Sequence, residues 1–285
     1  IGVEDTHGEY ARLMSAACGE PGNRLKIIAV TGTNGKTTVT NMIYSALCSY
    51  GKKAALIGTL GAYFEGEKSS IGTMTTPDPE LLYPLLQSYA DRGAEYAVME
   101  ASSHALALGK LDGLRFRISA ITNLTPEHLD FHGSMQEYAK AKAHLFELSG
   151  EGIFCIDDSY TSRLAAECLC EKTTCSVRDS GADFYAESPE LNGVNGISFT
   201  LRHKSKGTLV RSDIPGTFTV SNALLACSVL VRLGFSEDEA SNGVYSLCGV
   251  KGRMERLPLD TDFSVFIDFA HTPDALSKLL ETVRA

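Results

Sequence analysis

Short apolar runs alternate along the first half of the chain with longer segments in which apolar residues recur every three or four positions. The short runs predict buried strands, at 25–30, 53–60, 95–100 and 117–124. The longer segments predict helices, at 37–51, 79–93 and 134–148. In the last of these, Ser134 is followed three residues later by Glu137, which is the pattern of a helix capping box. Strands that alternate with helices favour an α/β fold with a mostly parallel sheet flanked by helices on both faces.

The pattern changes between about 151 and 213. Residues 152–157 predict one more buried strand, but the stretch that follows has short alternating runs interrupted by Asn-Gly pairs at 192–193 and 195–196. Asn-Gly is a preferred sequence for the tight turn of a hairpin. This part of the chain therefore predicts a small antiparallel sheet at an edge of the main sheet, before a helix at 221–233.

The last segment is too short to form a core by itself. Residues 263–269 predict a strand, and a helix is expected from Thr272 to the end of the chain. One strand and one helix cannot bury enough apolar surface to be stable alone. We therefore expect 24–254 to form a central domain and 255–285 to begin another. Because the chain opens without an initiator methionine, we also expect it to be part of a longer protein.

Composition narrows the classes of function. The chain has 285 residues, of which 44% are hydrophobic and 21% charged, so it is long enough for a large core. Its net charge of −9 excludes broad electrostatic attraction to nucleic acid. The eight cysteines show no CxxC pair and no zinc-site spacing, so reduced thiols are expected. No apolar stretch reaches the roughly 18 residues of a membrane span and no signal peptide opens the chain, so we expect a cytoplasmic protein without a membrane partner.

The stretch VTGTNGKTTVT at 30–40 joins a predicted strand to a predicted helix through a glycine-rich turn. Such a turn directs successive backbone N–H groups, together with the positive end of the helix dipole, at one point. Lys36 would reach terminal phosphates there, and the Thr37 hydroxyl would bind Mg²⁺. The stretch departs from the pattern GxxxxGK[ST], because Val30 stands where that pattern has glycine. The alternative is a tight turn with a solvated lysine.

Three predicted strands end in candidate chemistry at one edge of the sheet, which is where ligands of open α/β sheets bind. Besides the strand before the glycine-rich loop, one ends at Glu100 and one at Asn123, with His128 close behind. A buried acid needs a cation, and Mg²⁺ shared with ATP would supply it. The alternatives are a helix cap for Glu100 and an ordinary surface or core position for His128. Lys140 and Lys142 lie two positions apart on a helix and face different ways, so only one needs to turn inward.

Seven motifs, in order along the chain, resemble the Mur ligases of peptidoglycan synthesis and, within that family, its MurE-type members. The motifs are VTGTNGKTT, TTPDP, EASSHAL, TNLTPEHLDFHGSMQEYAKAK, GTFTVSNALLA, GVKGRMERL and DFAHTPDAL. The resemblance implies a central ATPase domain of the P-loop type at 24–254. It further implies that 1–23 link this domain to an N-terminal UDP-binding domain, and that 255–285 are the first strand and helix of a Rossmann-like C-terminal domain.

The resemblance also implies roles for individual residues. Contacts to ATP are implied for Thr33, Asn34, Gly35, Lys36, Thr37, Thr38, Asn123, Asn222, Arg253 and Asp268. Within this set Asn222 would meet the adenine, Arg253 the phosphates and Asp268 the ribose. Mg²⁺ would be held by Thr37, Glu100, His128 and Lys142, and the last of these falls where the family has a carbamylated lysine. Catalytic roles are implied for Lys36, Glu100, His128 and Lys142, and contacts to the muramoyl dipeptide for Thr75, Thr76, Ser102 and Lys110.

Four positions depart from the family pattern. Thr219 replaces an asparagine, Lys251 a common proline, Lys110 an arginine and Phe269 a common tyrosine. A lysine at position 110 lacks the bidentate grip of a guanidinium on a carboxylate or phosphate. None of the four removes a catalytic group, so they weaken the implied substrate contacts more than the nucleotide contacts.

The implied activity is an ADP-forming ligation through an acyl phosphate. A third amino acid, lysine or meso-diaminopimelate, would be added to UDP-N-acetylmuramoyl-L-alanyl-D-glutamate. The chain is expected to be a monomer, to bind ATP, and to ligate poorly without the bulk of the C-terminal domain. Two alternatives stay open. One is a related ligase of the folylpolyglutamate, cyanophycin or poly-γ-glutamate synthetase type, and the other is a non-catalytic ATP-binding module.

Overall fold

The computed structural model describes residue 3 and residues 5–69, 72, 74–259, 263–271 and 273–284. Its strands are β1 (Lys26–Thr31), β2 (Ala54–Gly58), β3 (Gly61–Phe64), β4 (Glu67–Ser69), β5 (Tyr96–Glu100), β6 (Ile118–Ile121), β7 (Glu151–Cys155), β8 (Glu171–Ser176), β9 (Phe184–Leu191), β10 (Ile197–His203), β11 (Lys206–Ser212), β12 (Glu255–Arg256) and β13 (Phe266–Ile267). Its helices are α1 (Thr6–Ala17), α2 (Pro21–Arg24), α3 (Lys36–Ser49), α4 (Pro79–Asp91), α5 (Ser103–Ala107), α6 (Leu129–His132), α7 (Met135–Glu147), α8 (Ser159–Glu167), α9 (Thr217–Arg232), α10 (Glu237–Tyr245) and α11 (Pro273–Arg284).

One sheet of eleven strands runs through the molecule in the order β11-β10-β9-β8-β7-β6-β1-β5-β2-β3-β4. Every neighbouring pair from β9 to β2 is parallel. The strands β10 and β11 add an antiparallel edge on one side, and β3 and β4 add one on the other. The predicted α/β class, the mostly parallel sheet and the antiparallel edge are therefore confirmed. The predicted hairpins extend the main sheet, and a separate two-stranded sheet is formed by β12 and β13.

Apolar side chains cover both faces of the central strands. The strands β2, β5, β6 and β7 are buried at every position, as expected for strands with helices above and below. One core lies between the sheet and α3, α9 and α10, and includes Met42 and Leu224. The other lies against α1, α4, α7 and α8, and includes Leu82 and Phe154. None of the helices in the described ranges is long and apolar enough to cross a membrane.

The helices predicted from apolar spacing are present as α3, α4, α7 and α9. The helix α7 begins after Ser134, whose hydroxyl accepts a hydrogen bond from the N–H of Glu137 at 3.2 Å. This bond is one half of the expected capping box. On the same helix Lys142 is 1% exposed, whereas Lys140 is exposed. The prediction that one of the two lysines turns inward is therefore confirmed.

Elements with weak apolar periodicity are absent from the sequence prediction. The hairpin β3–β4 lies in a polar, glycine-rich stretch, where Ala62 and Phe64 point inward between partly exposed neighbours. The helix α8 has few buried residues, among them Thr161 and Ala165, and β8 follows it. Short elements with few apolar positions give too little signal for a periodicity argument, because their position is decided by long-range packing.

Both ends of the chain pack against the central domain. Within 1–23, the described part contains α1, which buries Ala11 and Ser15 and contacts α4. A helix therefore forms much of the segment that was expected to be a link. The predicted strand at 263–269 is reduced to β13, which pairs with β12.

The C-terminal helix is present as α11, while Thr272, where it was predicted to begin, lies outside the described residues. Phe266 and Leu279 pack on the core that includes α9. The central domain thus supplies the apolar partners that this short segment cannot supply itself. The domain boundary between 254 and 255 stays a prediction.

The cap of α7 provides a test of this local structure. We expect S134A to lower the free energy of unfolding by about 1 kcal/mol, because the N–H of Glu137 loses its acceptor. Chemical denaturation measures this difference. The control is Ser134→Asp, which keeps an acceptor oxygen at the cap and should retain wild-type stability. Equal stability of S134A and the wild type would show that the cap contributes nothing.

Candidate functional site

The loop between β1 and α3 is shaped by the end of β6. The side chain of Asn123 accepts a hydrogen bond from the N–H of Asn34 at 3.0 Å and donates to its carbonyl at 3.1 Å. Gly35 follows with φ of 89°, and a Cβ at that position would overlap Oδ1 of Asn222. Glycine is the residue that meets both conditions without strain. No side chain in the described ranges caps the N-terminus of α3, so the first N–H groups of this helix are available to an anion.

Two lysines converge on one carbonyl oxygen of this loop. Lys36 Nζ donates to Gly32 O at 2.8 Å, and Lys142 Nζ donates to the same atom at 3.0 Å. Burial lowers the pKa of Lys36 below its ordinary value. Burial also holds the pKa of Lys142 well below its ordinary value, and repulsion from Lys36 adds to that shift. Neither lysine forms an ion pair with a carboxylate of the described residues, so both amines remain available to a ligand.

The carboxylate of Glu100 lies at the end of β5, 1% exposed, and faces the start of α3. Its Oε2 accepts hydrogen bonds from the hydroxyls of Thr37 at 3.0 Å and Thr59 at 3.1 Å. Its Oε1 accepts the N–H of Thr59 at 2.8 Å. The alternative role of Glu100 as a cap of the next helix is wrong, because Ser102 caps α5. Glu100 and Thr37 therefore form the oxygen pair that the sequence predicts for Mg²⁺.

An open cleft of about 230 Å³ adjoins this pair. Lys36, Lys110 and Lys142 line it, and no carboxylate of the described residues does. The predicted substrate contacts Thr75, Thr76 and Ser102 also line it. A cleft with three amines and several hydroxyls favours a ligand that carries negative charge.

The predicted substrate residues Thr76 and Lys110 already have polar partners within the protein. The hydroxyl of Thr76 donates to Glu100 O at 2.9 Å and accepts the N–H of Ser102 at 3.0 Å. The amine of Lys110 pairs with Asp78 at 2.5 Å. The loop that begins at Thr75 is thus fastened to the strand that ends at Glu100.

His128 lies on the wall of the same cleft. It has a positive φ of 56°, and its ring contacts the edge of His104 with 4.8 Å between centroids. Its side chain is 45% exposed, so the ring remains accessible to a ligand in the cleft. His132, in contrast, is held by a hydrogen bond with the hydroxyl of Ser103 at 3.0 Å.

Arg253, near the end of the central domain, connects the loop with the C-terminal segment 255–285. Arg253 donates to the hydroxyl of Thr37 at 3.4 Å and stacks on the ring of Phe269 with 4.9 Å to its centroid. Asp268 accepts the N–H of Met254 and that of Ala270, each at 2.7 Å. The carboxylate of Asp268 thus fixes the backbone next to Arg253. Contacts of Asp268 with a ribose, and of Asn222 with an adenine, stay predictions.

The described residues alone do not form a complete metal site of acids, histidines or cysteines. No group of three or more His, Cys, Asp or Glu that could hold a metal ion occurs in the described ranges. The predicted set instead combines the Thr37 hydroxyl, the Glu100 carboxylate, the His128 ring and the Lys142 amine. The first two are in contact, and the other two line the adjoining cleft. Hydroxyl and carboxylate oxygens suit Mg²⁺, whereas an ammonium group does not.

Sequence reasoning missed the residues at the end of β2. Gly58 makes room for the acid, because a Cβ there would overlap Glu100 Oε1, and Thr59 supplies two of the three hydrogen bonds to that carboxylate. The sequence could have indicated these residues, because β2 is a fourth parallel strand whose carboxyl end lies at the same edge of the sheet. Tyr138, whose ring lies 4.7 Å from Lys142 Nζ, was missed because one aromatic residue on a helix carries no functional signal by itself.

Comparison with known proteins shows the family of this chain. The model of the Mur ligase middle domain matches residues 30–230. The chain belongs to the Mur ligase family. The UDP-N-acetylmuramoyl-L-alanyl-D-glutamate–2,6-diaminopimelate ligases of Pseudomonas putida and Clostridioides difficile are 39% and 36% identical to it. The alignments cover 93% and 100% of this chain but 55% and 59% of those relatives, so the chain spans little more than half of their length.

Solved structures show the same relationship. A solved UDP-N-acetylmuramoyl-L-alanyl-D-glutamate–2,6-diaminopimelate ligase matches with a TM-score of 0.83 at 32% identity, over 98% of this chain and 57% of that one. MurF from Acinetobacter baumannii matches with a TM-score of 0.76 at 21% identity, over 99% of this chain and 59% of that one, and shows a shared fold. The resemblance to the MurE-type branch of the family is therefore confirmed.

Gly58 provides a test of the Thr37–Glu100 pair. We expect Gly58→Ala to displace the Glu100 carboxylate, to lower stability by about 1–3 kcal/mol through overpacking, and to weaken Mg²⁺-dependent nucleotide binding about tenfold. Thermal unfolding and calorimetric titration measure the two effects. The matched control is Gly150→Ala, whose added Cβ would meet the protein only at ordinary contact distance, with the nearest atom at 3.5 Å. Unchanged nucleotide affinity in Gly58→Ala would contradict a role for the Glu100 position in metal binding.

Proposed function

We propose that this chain contains the nucleotide site and the acceptor-carboxylate site of an ATP-dependent ligase of bacterial peptidoglycan synthesis. The acceptor is UDP-N-acetylmuramoyl-L-alanyl-D-glutamate and the reaction takes place in the cytoplasm. The incoming amino acid is 2,6-diaminopimelate, which the names of the relatives favour over lysine. The observation that supports this most is the convergence of Lys36 and Lys142 on Gly32 O, beside Glu100 and a cleft without a carboxylate.

The chemistry begins with two anions that repel each other. A carboxylate oxygen of the acceptor attacks the γ-phosphorus of ATP, the bond to the β-phosphate oxygen breaks, and ADP leaves. The amine of the incoming amino acid then attacks the acyl carbon, and phosphate leaves. Lys36 offsets the repulsion in the first step, because its amine lies at the phosphate loop, beside the carbonyl oxygens of Gly32 and Thr33. Arg253, which reaches Thr37, adds a second cation on the other side of the loop.

The chain's own residues fit Mg²⁺. The hydroxyl of Thr37, in the first turn of α3, contacts the carboxylate of Glu100 at the end of β5, and both residues are buried. They would hold Mg²⁺ beside the phosphate loop, and His128 would hold a second ion from the wall of the cleft. When bound, Mg²⁺ neutralises charge on the phosphate oxygens. Thr37 and Glu100 thus contribute positioning, and Lys36 contributes positive charge.

Carbamylation would change the role of Lys142. Burial and the neighbouring Lys36 both favour the uncharged amine, and an uncharged amine adds CO₂ to form a carbamate with loss of a proton. The carbamate is an anion, so it replaces the repulsion between the two side chains by attraction. It would also give the site an anionic oxygen ligand for Mg²⁺ in addition to Glu100. We therefore propose that Lys142 is carbamylated in the active protein.

Phosphate release tests the proposed function. We expect Mg-ATP to be hydrolysed by this chain when UDP-N-acetylmuramoyl-L-alanyl-D-glutamate is added, and the ligated product to form slowly. Lys36→Ala should abolish both nucleotide binding and phosphate release. Release triggered by folate, and not by the muramoyl dipeptide, would assign the chain to a folylpolyglutamate type. ATP binding without release under any acceptor carboxylate would indicate a non-catalytic module.

Carbamylation of Lys142 has a direct measurement. With ¹³C-labelled bicarbonate, NMR should show one carbamate signal that is absent in Lys142→Arg. Because the pKa of Lys142 lies well below its ordinary value, its uncharged fraction rises with pH at values where exposed lysines stay charged. The signal should therefore grow as the pH is raised toward neutrality and above. The matched control is Lys140→Arg, on the exposed face of the same helix, which should leave the signal unchanged. No signal in the wild type at any pH would refute carbamylation.

A further inference from the structure

Thr59 contacts Glu100, which is the proposed ligand of Mg²⁺, and Thr75, which is the predicted contact of the acceptor. Thr59 follows β2 directly. Its N–H donates a hydrogen bond to Oε1 of Glu100 at 2.8 Å, and its hydroxyl donates one to Oε2 at 3.1 Å. Its hydroxyl also lies 3.1 Å from the hydroxyl of Thr75, which lines the cleft. No other residue of the site contacts both oxygens of that carboxylate among the described residues.

We propose that Thr59 is a positioning residue that orients the Glu100 carboxylate and thereby fixes how Thr75 meets the acceptor. The inference rests on the proposed function, in which Glu100 holds Mg²⁺ and Thr75 faces the muramoyl dipeptide. Thr59 itself touches neither the metal nor the reacting atoms. Its effect passes through the hydrogen bonds that it makes.

Two hydrogen bonds from Thr59, one to each oxygen, fix the orientation of the Glu100 carboxylate. A glutamate side chain has three rotatable torsions, so one hydrogen bond leaves its carboxylate free to turn. The N–H of Thr59 holds one oxygen and the hydroxyl holds the other, which defines the plane of the group. The oxygen on the hydroxyl side is the one that contacts Thr37. Thr59 therefore fixes the oxygen that would share Mg²⁺ with Thr37.

The direction of the hydroxyl protons follows from the chemistry of an ionised carboxylate. Glu100 can only accept, so the hydroxyl of Thr59 donates its single proton to Oε2. Thr59 must then accept from Thr75, which donates its own proton in turn. Thr75 is left with lone pairs toward the cleft. It is therefore a hydrogen-bond acceptor for the ligand, and its partner is an N–H group such as the peptide N–H of the L-alanyl-D-glutamate unit.

A purely structural role for the Thr59 side chain is disfavoured by its surroundings. Gly58 before it is buried, whereas Thr59 is exposed at the strand end. An exposed side chain adds little to the core, so a change that keeps its shape should leave the fold intact. Thr59→Val keeps the shape and the N–H while it removes the hydroxyl. Thr59→Ser restores the hydroxyl.

The first experiment measures nucleotide affinity by calorimetry with and without Mg²⁺. We expect Thr59→Val to weaken binding about tenfold with Mg²⁺ and to leave binding without Mg²⁺ unchanged, while Thr59→Ser behaves as wild type. The matched control is Thr208→Val, which removes a hydroxyl contact to Asp238 on the distant strand β11 and should change neither value. Wild-type affinity in Thr59→Val, or an equal loss without Mg²⁺, overturns the proposal.

A crystal structure of nucleotide-free Thr59→Val separates this proposal from the proposed function. The proposal expects Glu100 Oε2 to leave its place beside Thr37, and an unmoved carboxylate overturns it. This result stands even if the wild type binds no nucleotide, in which case the proposed function alone fails.

The second experiment tests the proton direction at Thr75. It compares the acceptor with an analogue in which an ester oxygen replaces the peptide N–H. We expect the ester to bind about tenfold more weakly to the wild type, since it cannot donate to Thr75, and to bind Thr75→Val as well as the amide does. Thr75→Ser should discriminate as the wild type does. Equal affinity of amide and ester for the wild type, or an undiminished difference in Thr75→Val, overturns the acceptor role of Thr75.

Discussion

Two buried amines share the carbonyl oxygen of Gly32, and their closeness is the constraint around which the site is built. Two like charges in a buried place disfavour the folded state, and burial disfavours each of them separately. Lys36 comes from the phosphate loop and Lys142 from α7, so the repulsion acts between separate elements. The sheet and its two cores must hold these elements together against it. Loss of the Lys142 proton, followed by the proposed carbamylation, would relieve this repulsion and leave Lys36 as the cation for an anionic ligand.

Glu100 is the counterpart of the two lysines. It lies near enough to attract Lys36, yet hydrogen bonds from Thr37 and Thr59 hold its carboxylate without an ion pair to either lysine. Had the acid paired with a lysine, both charges would be neutralised and neither would be available to a ligand. The separation is produced by geometry at the strand ends, because β5 lies between β1 and β2 in the sheet. Phosphate and metal therefore meet different side chains at one edge.

Much of this could be predicted from the sequence, for a physical reason. Parallel strands direct their carboxyl ends to one edge, so the order of strand, loop and helix around Lys36, Glu100 and Asn123 was enough to bring them together. Helical geometry predicted that Lys140 and Lys142 face different ways, and the family resemblance selected Lys142 as the one in the site. Contacts between residues far apart in the sequence were not predictable. Examples are the close approach of Asn222 to Gly35 and the hydrogen bond from Thr59 to Glu100. The hairpin β3–β4 was missed for the same reason, because its inward residues alternate over too short a run.

The link between the phosphate loop and the C-terminal segment depends on one side chain. Arg253 reaches Thr37 from one side and lies on the ring of Phe269 on the other, while Asp268 holds the backbone beside it. Because Arg253 lies on Phe269, a change in the position of residues 255–285 must move this guanidinium group relative to the phosphate site. Phe269 departs from the tyrosine that is common in the family, but a cation–π contact uses the face of the ring and needs no hydroxyl. The departure thus leaves intact the interaction that couples the two parts of the chain.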